Sequence, residues 1–165
     1  MKLVLIALLA LAAPALALAE EPTGFRDIPW GATEATLRAK VPLSDCYPSG
    51  QIDFGTRRCS AADGLRFGAV VPQSVTFYFR DARLVAWAML YHRNWRPTMV
   101  PALLERYGKP TEEGRTAATW TGARTRIIVT MDYSESDYLQ VVTQQEIRLH
   151  AADRKRAAEK TSKGF

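Results

Sequence analysis

The sequence has few of the residues from which metal and nucleophile sites are usually built. Its 165 residues include two cysteines and two histidines, too few for a histidine-rich metal site or a disulfide-framework miniprotein. It also contains no G-x-S-x-G, H-E-x-x-H or P-loop pattern. We therefore expect no bound metal, no cofactor and no motif-encoded catalytic site.

Long apolar runs are absent except at the start of the chain. Residues 3–18 carry no charge, and the cleavage-site pattern Ala17-Leu18-Ala19 closes this run just before the acidic pair Glu20-Glu21. This layout predicts a cleaved signal peptide over residues 1–19 and export to the periplasm. The alternative is a membrane anchor. It is disfavoured because the run is shorter than the ~20 residues that span a bilayer and contains Pro14.

The exported chain lacks a broad excess of one charge, although the formal net charge is +5. Six basic and three acidic side chains lie in residues 143–165, which leaves the preceding part close to neutral. Nucleic acid is therefore not an expected partner. Residues 144–165 are predicted to form a charged helical or disordered tail. One alternative gives this tail a structural envelope role, in contact with anionic lipid headgroups.

Cys46 and Cys59 are the only cysteines, and export would take them to an oxidising compartment. We expect them to form a disulfide that stabilises the fold by roughly 3 kcal/mol. The alternatives are a metal or redox pair. Both are less favoured, because a redox pair is usually C-x-x-C and two thiols without a nearby histidine make a poor zinc site.

Residues 20–143 are expected to form a single α+β domain with two helices packed on one face of an antiparallel sheet. Thr33 can cap a first helix that runs to about Lys40, and a second helix covers Thr98–Tyr107 before Gly108. Alternating or apolar runs predict strands over 51–54, 65–71, 74–80, 117–121, 125–132 and 138–143, with a further strand after 74–80.

Residues 74–80 and the strand after them predict a hairpin with Asp81-Ala82 as its turn. The expected register places Phe79 opposite Leu84, Phe77 opposite Ala86 and Val75 opposite Ala88. Large side chains would then occupy the other face, and with Trp95 they form the predicted partner-binding set: Tyr78, Trp87, Met89, Tyr91 and Trp95. Either these side chains are exposed interface anchors, or the tail or the disulfide loop covers them.

A second hairpin is predicted around Ser134-Glu135-Ser136, with Met131 opposite Leu139 and Val129 opposite Val141. Both halves of the domain therefore read as a tryptophan, a capped helix, a loop and antiparallel strands. This order suggests a duplicated helix-plus-strands unit. Because residue identity between the halves is slight, an unduplicated domain stays open.

Two short motifs connect the sequence with known small exported proteins. Ile28-Pro29-Trp30-Gly31-Ala32-Thr33 precedes a helix, and Tyr107-Gly108-Lys109-Pro110 ends one before the strand that holds Trp120. Over about 25–143 the pattern resembles the helix-plus-sheet units of the BamE/SmpA and β-lactamase-inhibitor-protein group. The resemblance implies a non-catalytic binder or assembly factor. Outer-membrane assembly is not expected, because no cysteine stands where a lipid would be attached.

The candidate catalytic side chains are few. His92 ends a strand, His150 lies in the charged tail, and Glu112-Glu113 are adjacent and so diverge. A spatially assembled Ser/His/Asp triad would make the chain a small periplasmic hydrolase, which is the alternative function. The favoured expectation is an exported, non-catalytic binding or envelope-associated protein. Its partner would be a protein, an envelope component or a second copy of the chain.

Overall fold

One large antiparallel sheet organises the chain. The computed structural model describes residues 20–50, 53–131 and 135–162, so the predicted signal peptide lies outside the described residues. A short ribbon of β1 (Gly24–Phe25) and β2 (Ile28–Pro29) precedes the sheet. The strands of the sheet are β3 (Leu43–Pro48), β4 (Arg57–Ala61), β5 (Ser74–Arg80), β6 (Arg83–His92), β7 (Glu112–Glu113), β8 (Ala117–Thr121), β9 (Thr125–Met131) and β10 (Ser136–Thr143).

The order of the strands gives the two halves of the sheet the same plan. Neighbouring strands follow the order β3-β4-β5-β6-β10-β9-β8-β7. Helix α1 (Glu34–Arg38) precedes the first four strands, and helix α2 (Arg96–Tyr107) precedes the last four. Each half is a helix followed by a four-stranded meander, and the halves join where β6 pairs with β10. The α+β class is confirmed, but the sheet has eight strands and a third helix, α3 (Gln144–Ser162), ends the fold.

The main core lies on one face of the sheet, which we name the helix face because α1 and α2 bury side chains against it. Leu37 of α1 and Met99 and Leu103 of α2 are buried there. The ribbon adds Phe25 and Ile28. The largest buried side chains that the sheet contributes to this core are Phe77, Phe79, Leu84, Met89, Tyr91, Trp120 and Ile127.

The β5–β6 hairpin forms as predicted, but a bulge shifts its register. Asp81 and Ala82 both have positive φ, at 50° and 58°, as a two-residue type I′ turn requires. Phe79 pairs with Leu84, but Phe77 pairs with Trp87, so β6 contains one extra residue at this point. Because side chains alternate between the two faces of a sheet, one extra residue moves every later side chain of that strand to the opposite face. Trp87, Met89 and Tyr91 therefore lie on the helix face, where alanines were expected.

The opposite face, which we name the second face, carries a smaller cluster. Tyr78, Ala86, Ala88 and Val142 are buried there, and Ile147 of α3 and Phe54 pack against them. Residues 144–162 of the predicted charged tail are helical, and the start of this helix packs against the sheet through Ile147. Among the described helices, none is both long and apolar enough to cross a bilayer.

Two further strand predictions were wrong in detail. The predicted strand 65–71 is a tight turn, in which Phe67 and Val70 exchange backbone hydrogen bonds around Gly68 at φ 60°. In the second hairpin, Leu139 pairs with Val129 instead of Met131. This slip of two residues keeps each side chain on its predicted face. The predicted strand 51–54 falls partly outside the described residues, because 51–52 are not among them.

Candidate functional site

The predicted interface residues do not form an exposed ridge. Trp87 is 9% exposed, and Met89 and Tyr91 are fully buried on the helix face. Tyr78 is buried on the second face, and Trp95 is half-buried against the main core. Of the two alternatives for Trp87, Met89 and Tyr91, the structure has them covered, because the bulge in β6 moves these three side chains under the helices.

Trp87 instead lines a cleft on the helix face. The cleft has a volume of about 310 Å³ and lies between residues 20–26 and α2. Its lining combines Trp87 and Leu139 from the two central strands with side chains from three other segments. These are Phe25 of β1, Phe67 of the loop between β4 and β5, and Met99, Ala102, Leu103, Arg106 and Tyr107 of α2.

The Trp87 indole is held in place from three directions. Its ring packs edge-on against Phe25, with centroids 5.3 Å apart, and stacks on Phe67 at 5.8 Å. Its Nε1 donates to the carbonyl oxygen of Gly24 at 3.2 Å. A Cβ on Gly24 would collide with the backbone of Ile28, so glycine lets the ribbon lie close at this point. The aromatic wall of the cleft is therefore preformed.

Charged side chains surround the mouth of the cleft. The Arg106 guanidinium donates to Glu20 Oε1 at 3.2 Å, and this bond raises the pKa of Arg106. The Arg26 guanidinium lies 5.4 Å from the Phe25 ring centroid and 5.5 Å from that of Phe67. Burial raises the pKa of the Tyr107 hydroxyl, which stays neutral at physiological pH. The cleft thus combines an apolar interior with two cations at its rim.

Residues 21–22 anchor the N-terminal side of the cleft. The Glu21 carboxylate accepts from the backbone amides of Ala123 and Arg124, at 2.8 and 2.9 Å. The Pro22 carbonyl accepts from Trp30 Nε1 and from the Thr125 hydroxyl, at 2.9 and 3.0 Å. These bonds attach the segment to the turn between β8 and β9, and they do not involve Glu20.

The predicted disulfide is present. Cys46 and Cys59 are direct partners in the β3–β4 pairing, and their sulfurs are bonded at 2.08 Å. The Glu34 carboxylate lies near both sulfurs, within 4.8 Å, but disulfide sulfurs supply no thiolate ligand for a metal. Two hydrogen bonds lower the pKa of the Glu34 carboxyl: the one from Arg57 has the larger effect, and the one from Arg38 the smaller. The disulfide is compatible with an oxidising compartment.

The two histidines have structural contacts. His92 Nδ1 accepts from the Asn94 amide at 3.2 Å and caps the short turn of 3-10 helix at Arg93–Trp95. Ser136 lies opposite His92 in the sheet, and its hydroxyl donates to Gln73 at 2.8 Å. His150 packs edge-on against Phe54, with centroids 5.1 Å apart. Glu112 and Glu113 form the exposed two-residue strand β7.

A buried ion pair attaches α3 to the hairpin. Glu146 is fully buried and accepts from Arg80 Nε at 2.6 Å, from an Arg80 terminal nitrogen at 2.9 Å and from the Gly55 amide at 2.7 Å. Arg80 also donates to Asp153 at 2.9 Å. Sequence reasoning missed this pair, because Arg80 and Glu146 are distant in the chain: Arg80 ends the predicted strand 74–80, and Glu146 lies in the predicted charged tail.

Compared with known proteins, the chain matches no family model, no curated protein and no solved structure. Sequence reasoning missed the cleft because its lining comes from five separate segments of the chain. The apolar stripe of α2, which includes Leu103 and Tyr107, was the available signal, but it also fits a helix that packs only on the core.

Proposed function

We propose that this chain is an exported, non-catalytic binding protein that takes a small, largely apolar ligand into the cleft beside α2. The observation that carries the proposal is the immobilised Trp87 ring in a preformed cleft of about 310 Å³. Small-molecule sites are typically concave, mostly apolar and roughly 300–1,000 Å³ in volume, with few polar groups. The cleft is concave, its volume lies at the lower end of this range, and its lining is more apolar than polar, with the charged side chains at its mouth.

The lining of the cleft favours binding over catalysis. Among the described residues that line it, none is a serine, cysteine or histidine, the side chains that most often act as nucleophile or base. Its carboxylates come from Glu20, which pairs with Arg106, and Glu21, which accepts two backbone amides. The hydrolase alternative would need a histidine beside a serine. His92 and Ser136 are neighbours in the sheet, but neither lines the cleft, and each has a hydrogen bond to another residue.

The proposal includes export to the periplasm and an origin by duplication. The signal-like start of the sequence and the Cys46–Cys59 disulfide support export. The repeated plan of a helix and a four-stranded meander supports duplication. In both halves the chain begins at an edge strand, β3 or β7, and ends at a central strand, β6 or β10. Such a plan also fits the predicted resemblance to small exported helix-plus-sheet proteins, which are binders or assembly factors.

A neutral fluorescent probe and a pair of phenylalanine variants test the binding function. We expect N-phenyl-1-naphthylamine to bind the native protein and to quench tryptophan emission. Ala102 is exposed and lines the cleft, so Ala102→Phe should fill the cleft and weaken binding at least about tenfold. Leu104, on the same helix, is 41% exposed and does not line the cleft. Leu104→Phe is the matched control and should bind like the native protein. Equal affinity in both variants, or no binding by the native protein, would refute the proposal.

A second candidate function is contact with an anionic membrane surface through the end of α3. Residues 154–162 carry four basic side chains and one acidic side chain, and all five are exposed. Cations on one helix end are attracted to anionic headgroups by about 1 kcal/mol each near the surface. Co-sedimentation with phosphatidylglycerol vesicles at low salt, lost at high salt and in a chain that ends at Asp153, would support this function. Equal sedimentation of both chains would contradict it.

A further inference from the structure

We infer that the ligand of the cleft is an anionic amphiphile, and that Arg106 binds its acidic head in the position now held by the Glu20 carboxylate. The inference rests on the proposed function, because it assigns a chemical class to the ligand of the same cleft. It is carried by the bonding of four charged side chains at the mouth: Glu20, Glu21, Arg26 and Arg106.

The first step concerns the strength of the Arg106–Glu20 pair. One hydrogen bond of 3.2 Å joins the two side chains, and they are 60% and 64% exposed. Exposed pairs of this kind contribute little stability and exchange readily with other ions. Arg106 has five N–H donors, so its guanidinium suits a bidentate carboxylate at the mouth of the cleft. Glu20 is thus an occupant that a ligand carboxylate can replace.

The second step concerns what holds the N-terminal segment when Glu20 leaves. Glu21 and Pro22 make four hydrogen bonds to Trp30 and to the residues between β8 and β9. These bonds are independent of Arg106. Glu20 can therefore leave Arg106 without dismantling the wall of the cleft that residues 21–25 provide.

The third step concerns the sign of the charge at the mouth. The Glu21 carboxylate is committed to the backbone amides of Ala123 and Arg124. Once Glu20 is displaced, two cations, Arg106 and Arg26, and one anion, Glu21, line the cleft, so the local charge is positive. Arg26 donates to the Arg66 carbonyl and Glu21 accepts from backbone amides, so neither is paired with Arg106. Arg26 is held over Phe25 and Phe67 at the aromatic wall. An acidic head is attracted by this arrangement and a cationic head is repelled, while the apolar body contacts Trp87 and Leu139.

Three probes with the same ten-carbon chain test the inference: decanoate, decanol and decyltrimethylammonium. Binding is followed by tryptophan emission, below the critical micelle concentration of the two ionic probes and below the solubility limit of decanol. We expect decanoate to bind most tightly and decyltrimethylammonium least. Arg106→Gln should weaken decanoate binding by about 2- to 5-fold, as loss of an exposed ion pair predicts, and leave decanol unchanged. Glu20→Gln should strengthen decanoate binding by about 2- to 5-fold, because it removes the internal competitor.

The matched control is Arg93→Gln, which removes an exposed positive charge from a residue that does not line the cleft. It should leave all three affinities within error of the native protein. The inference is overturned if decanol binds as tightly as decanoate, or if Arg106→Gln and Arg93→Gln weaken decanoate binding equally. In those cases the cleft still binds an apolar chain, and the proposed function stands. If none of the probes binds, and N-phenyl-1-naphthylamine also fails, both are refuted together.

Discussion

Replacement of Glu146 by glutamine should destabilise the fold by about 3 kcal/mol. Glu146 is fully buried and accepts three hydrogen bonds, two from Arg80 and one from Gly55. Glutamine removes the negative charge and turns one acceptor oxygen into a donor that faces Arg80 or the Gly55 amide. Breaking a buried ion pair on one side costs about 3–5 kcal/mol. The lower end applies here, because Arg80 is 14% exposed and retains Asp153 as a partner at 2.9 Å.

A double-mutant cycle separates the ion pair from the packing of these side chains. Arg80→Met and Glu146→Met should each cost about 3 kcal/mol or more, because each leaves the other ion without its main partner. The double variant should be less destabilised than the sum by at least about 2 kcal/mol, since neither charge is then left unpaired. Urea unfolding followed by circular dichroism gives each free energy and checks that the m-value stays constant. Additive single effects, or a loss below about 1 kcal/mol for Glu146→Gln, would refute the reasoning.

Three other changes have expected effects on stability. Ala82→Gly should stabilise the protein by about 0.5–1 kcal/mol in urea unfolding, because Ala82 has φ 58° in a type I′ turn, where glycine is favoured; a loss of stability would contradict this. Among the described residues, no protein group bonds the buried Tyr91 hydroxyl, so Tyr91→Phe should stabilise by about 1 kcal/mol. Burial, with a smaller contribution from Asp137, raises the folded-state pKa of Tyr91 above its ordinary value of 10.0. The native protein should therefore lose stability as the pH rises above 10, and Tyr91→Phe should lose less; equal slopes in melting experiments would be inconsistent with this. Deletion of residues 154–165 should change stability by less than about 0.5 kcal/mol, because the described side chains there are mostly exposed, whereas deletion from Gln144 should unfold or strongly destabilise the chain.

The sequence predicts the β5–β6 hairpin because alternation and a two-residue turn are local signals. It does not predict the bulge, because Val85, Ala86, Trp87 and Ala88 are all apolar and fit either face. With the bulge, the large Trp87 side chain lies in the main core, and the small side chains of Ala86 and Ala88 lie on the second face, where α3 packs. Packing against residues distant in the sequence therefore decides on which face of the sheet Trp87 lies, and a short stretch of sequence does not include those residues.

Helix α3 shows a different limit of sequence reasoning. The side chains through which it contacts the rest of the fold include Gln144, Glu146, Ile147, His150 and Asp153. Only one of these is apolar, so hydrophobic periodicity does not indicate a packed helix. Its partners, Arg80 and Phe54, lie more than sixty residues earlier in the chain. Contacts that are mostly polar and join distant residues, like those of α3, can be recognised from the folded structure but not from the sequence pattern.

The two outer strands of the sheet have consequences for self-assembly. An open sheet presents unpaired backbone groups at both edges, and a long, flat edge can recruit a strand from another molecule. Here one edge is β7, which has two residues and both are glutamates. The other edge is β3, which has an irregular register between Leu43 and Cys46 and ends at Pro48. Short length, negative charge, a bulge and a proline are the devices that oppose amyloid-like growth. A sheet of eight strands can thus stay open at both margins and still resist edge-to-edge polymerisation.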